Sequence, residues 1–185
     1  MLILASGSPR RRELLTTAGI AFTVVVADTE ETLDPALSPE GAAIAIAREK
    51  AAAVFAKHPN DTVVGADTIV VFDEHILGKP ADETDAARML KLLSGREHTV
   101  YTGVCILGPH GETVFSQATV VEFYSLTPAE IAAYVASGEP MDKAGAYGIQ
   151  GLGCVLVKEI RGDYFNVMGL PVARLVRELR ALGTV

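Results

Sequence analysis

Apolar positions along this chain follow two spacings, and capping and turn residues stand where one gives way to the other. Residues 2–5 form a short apolar run that predicts a buried strand; Ser8 and Pro9 then supply an N-cap and a first-turn proline for a helix that Gly19 ends. Residues 22–27 are apolar and β-branched, predicting a second strand, and the acidic stretch 28–38 predicts a loop. From the Ser38-Pro39 signal, apolar residues recur through Ile44, Ile46, Ala47, Ala51, Val54 and Phe55, which predicts a long alanine-rich helix to about Lys57. Residues 62–72 are apolar on both alternating faces, as in a central strand covered on two sides.

Asp73-Glu74-His75 reads as a tight connection, and residues 82–85 open a helix that runs through Leu93 and stops at Ser94-Gly95. Two long strands, 100–107 and 113–123, flank Pro109-His110-Gly111, a hairpin signal. Thr127-Pro128 caps a further helix that ends at Gly138, and a glycine-rich loop over 141–153 leads into a strand over 154–160. A last helix is expected from Pro171 to about Leu182. Strands and helices alternate around a central hairpin, which predicts an α/β or α+β domain with a mixed sheet. No repeat or linker interrupts the 185 residues, so one domain is expected.

Composition narrows the classes. Hydrophobic residues make up 49% and charged residues 21%, which is ordinary globular usage and excludes a disordered or fibrous chain. No apolar run reaches the roughly 18 residues of a membrane helix. The first residues lack the basic-then-apolar order of a secretory signal, so a cytoplasmic protein without membrane contact is expected. A formal net charge of -7 argues against nonspecific nucleic-acid binding, although a local basic pocket could hold a small anion. Cys105 and Cys154 form no CxxC pair and are expected as buried thiols in strands. His58, His75, His98 and His110 lack metal-ligand spacing and are expected at the surface.

Two positions break the pattern in ways that point to chemistry. Arg10, Arg11 and Arg12 occupy the first turn of the first helix, where the helix dipole favours anions over cations. Backbone N–H groups at a helix start, the Ser6 and Ser8 hydroxyls and guanidinium forks together suit a phosphate group. A solvated basic patch has the same composition, and this stretch alone leaves both readings open. The Gly-Lys-Ser/Thr element of a P-loop is absent. Asp67 lies inside the apolar run 63–71, where a buried, unpaired carboxylate costs several kcal/mol, so it needs a partner. That partner is a metal ion, a lysine beside a metal-bound phosphate, or a structural Arg or Lys.

Other candidates carry less by themselves. Glu30-Glu31 and Glu49-Lys50 have the look of solvated charge pairs, and Lys79 sits at the rigid turn Gly78-Lys79-Pro80. The loop 142–153 keeps Tyr147 and Gln150 among its glycines, which suits either a backbone wrapped around a flat ligand edge or a structural loop. Arg174, Arg177 and Arg180 fall toward the end of the last helix, where cations suit the dipole, and no function is assigned to them.

Taken in order, Ala5-Ser6-Gly7-Ser8-Pro9-Arg10-Arg11, Gly65-Ala66-Asp67-Thr68, Gly78-Lys79-Pro80, Ser94-Gly95, residues 142–151 and residues 162–171 resemble the Maf family of nucleotide pyrophosphatases over nearly the whole chain. The resemblance implies one α/β domain with a mixed, partly antiparallel sheet flanked by helices, related to inosine triphosphate pyrophosphatases. It also implies a divalent metal, Mg²⁺ or Mn²⁺, a homodimer and a nucleoside triphosphate substrate. Carried over by position, Asp67 becomes the catalytic acid or base. Ser6, Arg11, Lys50 and Lys79 hold the triphosphate, and Glu31 helps Asp67 to place the metal, where such families often show Asp-Glu instead of Glu30-Glu31. Arg10, Thr68 and Gln150 match the base-selecting positions of the subgroup acting on dTTP and UTP. A sister subgroup acting on 7-methylguanosine triphosphate tends to carry Trp, Gln and Glu there. Gln150 suits the role, because an amide offers a donor and an acceptor to the O4/N3 edge of uracil or thymine. The family's link to inhibition of septum formation makes a non-catalytic interaction protein the rival from another class.

Overall fold

A computed structural model describes residues 1–29, 32–109 and 111–185. Glu31, expected at the metal, therefore lies outside the described residues, as do Glu30 and His110. The elements in order are β1 (Leu2–Leu4), α1 (Pro9–Thr17), β2 (Thr23–Val24), α2 (Pro39–Phe55), β3 (Thr62–Phe72), β4 (His75–Leu77), α3 (Glu83–Leu93), β5 (Glu97–Gly108), β6 (Gly111–Phe123), α4 (Pro128–Ala136), β7 (Val157–Arg161), α5 (Tyr164–Met168) and α6 (Val172–Ala181). Three 3-10 turns, Glu139–Asp142, Ala144–Ala146 and Gly151–Leu156, fill the glycine-rich region.

The strands form one seven-stranded sheet in the order β2-β1-β3-β5-β6-β7, with β4 added to β3. β1 runs parallel to β2 and β3, whereas β4 is antiparallel to β3 and β7 to β6, so the sheet is mixed as expected. Asp73 and Glu74 close the β3–β4 hairpin with φ of 45° and 67°, the positive pair that a two-residue turn between twisted strands requires.

By packing, the chain divides into two units. The first comprises Met1–Thr68, Thr102–Gln117 and Gly169–Val185, and the second Ile69–Tyr101 and Ala118–Met168. In the first unit, Ile3, Ala5, Ala47, Ala51, Val54, Val63 and Cys105 make a buried cluster between the sheet and α2. The alanine-rich face of α2 has a purpose that its composition only hints at. Its backbone passes so close to the strands that a Cβ on Gly65 would lie 2.1 Å from the Ala47 carbonyl oxygen, and one on Gly103 2.4 Å from the Ala43 carbonyl carbon. α6 buries Val172, Leu175 and Leu179, spaced for a single helical face.

The second unit has its own core, which includes Val70, Met89, Leu90, Val121, Phe123, Ile131, Tyr134 and Tyr147. α3 presents Ala86, Met89, Leu90 and Leu93 to it, with Asp82 capping the helix by accepting from the Asp85 N–H at 2.8 Å. The Thr127–Glu130 capping box starts α4.

Four local expectations are corrected. The second strand shrinks from 22–27 to Thr23–Val24. Residues 164–168, not foreseen as an element, form the short α5. The strand expected from Cys154 begins at Val157, because the Leu152 and Gly153 N–H groups are spent on the Glu139 carboxylate rather than on a neighbouring strand, and this leaves Cys154 exposed in a 3-10 turn. Cys105 is buried as expected, and burial pushes its thiol up to about 12.

His98 is the fourth correction. It is buried, not superficial, in a trio of edge-packed rings with Phe123 and Tyr147, and a ring nitrogen lies 2.8 Å from the Tyr147 hydroxyl. Burial pushes it down from the ordinary 6.5 to about 4. The unfolded chain therefore binds more protons between those two values. The stability that this neutral imidazole supports is complete above the unfolded value and is lost as pH falls toward the folded one. Urea unfolding from about pH 7 to about pH 4 is expected to show wild type losing roughly 3 kcal/mol more than His98→Gln. Equal losses in the two proteins would contradict this account of His98.

Candidate active site

β1 continues its pairing one residue past its end, with the Ala5 N–H donating to the Val64 carbonyl at 2.8 Å, and this delivers Ser6 to the start of α1. Ser8 is the N-cap with extended backbone, as expected, but its side chain makes no capping bond. The Ser8 N–H instead donates to Ser6 Oγ at 3.2 Å.

The three arginines part company here. Arg11 shares its helix face with Leu14 and Leu15 and is buried with them, at 8% exposure, whereas Arg10 is half-buried and Arg12 exposed. Its guanidinium is held on three sides: Nε donates to the Gly169 carbonyl at 2.7 Å, Nη1 to Ser6 Oγ at 3.1 Å and Nη2 to Thr68 Oγ1 at 3.0 Å. Thr68 Oγ1 is also 2.9 Å from Thr102 Oγ1. Gly169 has φ of 117°, a conformation that an L side chain rarely adopts, and this turns its carbonyl toward Arg11. Arg11 thus contributes a fixed positive charge and a rigid platform for two hydroxyls.

The partner that Asp67 requires is Lys50. Its Nζ lies 2.7 Å from Asp67 Oδ1, with the two side chains 11% and 10% exposed. α2 carries the lysine and β3 the carboxylate, so the close passage of α2 over Gly65 sets the approach of the pair. Of the expected site residues, Ser6, Arg10, Arg11, Lys50, Asp67 and Thr68 all belong to the first unit. Lys79 and Gln150 belong to the second, where Lys79 is exposed after β4 and Gln150 is half-buried at the N-cap of the turn Gly151–Leu156.

Thr102 and Gly169 were not foreseen as supports of this cluster. A signal for Thr102 did exist, since it is a fully buried polar residue in a strand otherwise lined by Val100, Val104, Cys105 and Ile106. Gly169 gave none beyond its place in the motif over 162–171.

The donor set suits a hard divalent cation held mainly by a ligand. Among the described residues no group of three or more His, Cys, Asp and Glu could cage a metal ion, and the carboxylate that this cluster does hold is that of Asp67, paired through Oδ1 with Lys50. One or two carboxylates plus phosphate oxygens and water are the usual shell of Mg²⁺.

A mixed-sheet α/β protein with a buried lysine–carboxylate pair and a locked arginine between two hydroxyls is the class that this fold and these side chains define. Within it, the chain belongs to the Maf-like protein family, whose model matches residues 1–182. A dTTP/UTP pyrophosphatase from Bacillus mycoides is 54% identical over 179 residues, covering 97% of this chain and 94% of the relative. One from a Geobacillus species is 53% identical over 182 residues, covering 98% of each. Among solved structures, a nucleoside-triphosphatase (dITP/XTP pyrophosphatase) from Mycobacterium abscessus matches 98% of this chain and 97% of its own at 17% identity, with a TM-score of 0.49.

Proposed function

We propose that this protein hydrolyses dTTP and UTP to the nucleoside monophosphate and pyrophosphate. The buried Lys50–Asp67 pair is the observation that carries the reading, since a carboxylate so placed can take a proton from water while the ammonium beside it offsets negative charge. The full-length likeness to relatives named dTTP/UTP pyrophosphatase supports the substrate.

In this mechanism Asp67 orients a water molecule and accepts its proton as the oxygen attacks the α-phosphorus. The new P–O bond forms as the bond to the bridging oxygen breaks, and the electron pair leaves with pyrophosphate. Ser6 Oγ already accepts from the Ser8 N–H and from Arg11, so its own hydrogen is left to donate to a phosphate oxygen. Arg11 and Lys50 supply fixed positive charge where the transition state gathers negative charge. A divalent cation held by Asp67, with Glu31 as a second carboxylate, would withdraw charge from the phosphates when bound. Lys79 is assigned to the triphosphate, and Arg10, Thr68 and Gln150 to the base.

A nucleotide panel tests the reading. Pyrophosphate release is expected to be at least about a hundredfold faster, in kcat/KM, from UTP and dTTP than from GTP or ATP. It should stop on chelation of divalent metal and return with added Mg²⁺ or Mn²⁺. Absence of release from every triphosphate, with metal present, would sink the enzyme reading.

A further inference from the structure

Gln150 sits at the N-cap of the 3-10 turn Gly151–Leu156, outside any strand or α-helix, and its flanks are tied down by one pair of side chains. The Glu139 carboxylate accepts the Leu152 N–H on Oε2 at 2.8 Å and the Gly153 N–H on Oε1 at 3.0 Å. Tyr134, buried on α4, donates its hydroxyl hydrogen to the same Oε1 at 2.9 Å, and its oxygen accepts the Gly148 N–H at 3.1 Å. Gly148 on one side of Gln150 and Leu152 and Gly153 on the other are therefore fastened to a single Tyr134–Glu139 unit.

The glycines show how close the fit is. A Cβ on Gly151, whose φ is 73°, would lie 2.6 Å from Glu139 Oε2, and one on Gly153 would lie 2.2 Å from the Gly148 carbonyl oxygen and 2.7 Å from the Tyr134 hydroxyl. Lys143 adds a second tie, donating to the Glu139 backbone carbonyl while pairing with Asp142 at 2.6 Å. Burial pushes the Glu139 carboxyl up, but the Leu152 and Gly153 N–H groups, the Tyr134 hydroxyl and the Lys143 charge outweigh it and hold the group below the usual range. The carboxylate form is the one the clamp needs, because all three neighbours that face it are donors.

We propose that Tyr134 and Glu139 are positioning residues for base selection, a clamp that fixes where the Gln150 amide is presented. The inference rests on the assignment of Gln150 to the base. Bidentate recognition needs both amide atoms within hydrogen-bond distance at once. An amide turned by half a turn offers the opposite pattern, which matches cytosine in place of uracil. The clamp sets where the Gln150 side chain starts, and with it whether both amide atoms can reach the base edge at once, so discrimination depends on how firmly the loop is held, whereas chemistry at the phosphate does not.

The test is kcat/KM for UTP and for CTP with wild type, Tyr134→Phe, Glu139→Gln and Gln150→Ala, each with its melting temperature. Tyr134→Phe and Glu139→Gln are expected to lower the UTP/CTP ratio about tenfold, mostly through KM, while kcat for UTP holds within about twofold. Adding either change to Gln150→Ala should lower the ratio no further. Tyr134→Phe removes only a hydroxyl from a packed ring, so it decides the matter if Glu139→Gln does not fold. A ratio unchanged in the clamp variants, but lowered by Gln150→Ala, overturns the clamp. A ratio unchanged in Gln150→Ala overturns the assignment of the base to Gln150, and the clamp's role with it.

Discussion

Asp67→Asn is expected to cut pyrophosphate release from UTP by roughly a hundred- to ten-thousandfold in kcat, in a protein that still folds. The amide keeps the size of the side chain and can still accept a hydrogen bond from Lys50, but it cannot take a proton from water. Part of any loss could arise from stability, because removing one charge of a buried pair costs about 3–5 kcal/mol where the pair is fully dry. The double variant Asp67→Asn/Lys50→Gln separates the two effects. It removes both charges of the 2.7 Å pair, and it is expected to recover melting temperature without recovering turnover. Recovery of both together would make the pair structural and take the chemistry elsewhere. Near-normal turnover by the folded single variant would have the same consequence.

Gly103→Ala is expected to cost at least about 3 kcal/mol and to leave little folded protein under ordinary conditions. The added Cβ would meet the Ala43 carbonyl carbon at 2.4 Å, its oxygen at 2.5 Å and the Ile44 nitrogen at 2.5 Å. These are backbone atoms of α2, so no rotamer change can relieve the contact and the whole helix must lift from β5. Gly78→Ala is the control, since a Cβ there meets nothing within 4 Å, and it is expected to stay within about 0.5 kcal/mol of wild type. Urea denaturation of the two variants checks the contrast; similar midpoints would contradict the close passage of α2. Because α2 also carries Lys50, any folded fraction of Gly103→Ala should lose activity beyond its loss of stability.

Much of the architecture is legible from patterning alone. Residues 62–72 were expected as a strand covered on both faces, and β3 spans those positions with most of them buried. The long helix α2 starts at its Ser38-Pro39 signal, with the Ser38 hydroxyl accepting from the Gly41 N–H. What patterning misses is set by contacts between distant segments. Asp67 announces that it needs a partner, but nothing local names Lys50, which meets it only because α2 crosses β3 at Gly65. His98 has turn-like neighbours in sequence, and only the packing of Phe123 and Tyr147 around it shows it to be buried.

The arginine run was a half-legible feature. Arg11 lies at the helical spacing of Leu14 and Leu15, a sign that this arginine turns inward among its two neighbours. Its partner Gly169 lies 158 residues away and could not be inferred from spacing. The clamp on Gln150 was opaque for a related reason: the sequence marks the helix of Tyr134 only by its Thr127-Pro128 cap, and no spacing brings Glu139 together with its three donors on Tyr134, Leu152 and Gly153.

The central claim concerns which bond of the triphosphate is broken. Hydrolysis of UTP in water enriched in heavy oxygen, followed by mass spectrometry of the products, reads this directly. The account predicts UMP carrying one heavy oxygen and unlabelled pyrophosphate, as attack of water on the α-phosphorus demands. UDP with labelled orthophosphate, or label in pyrophosphate, would contradict it.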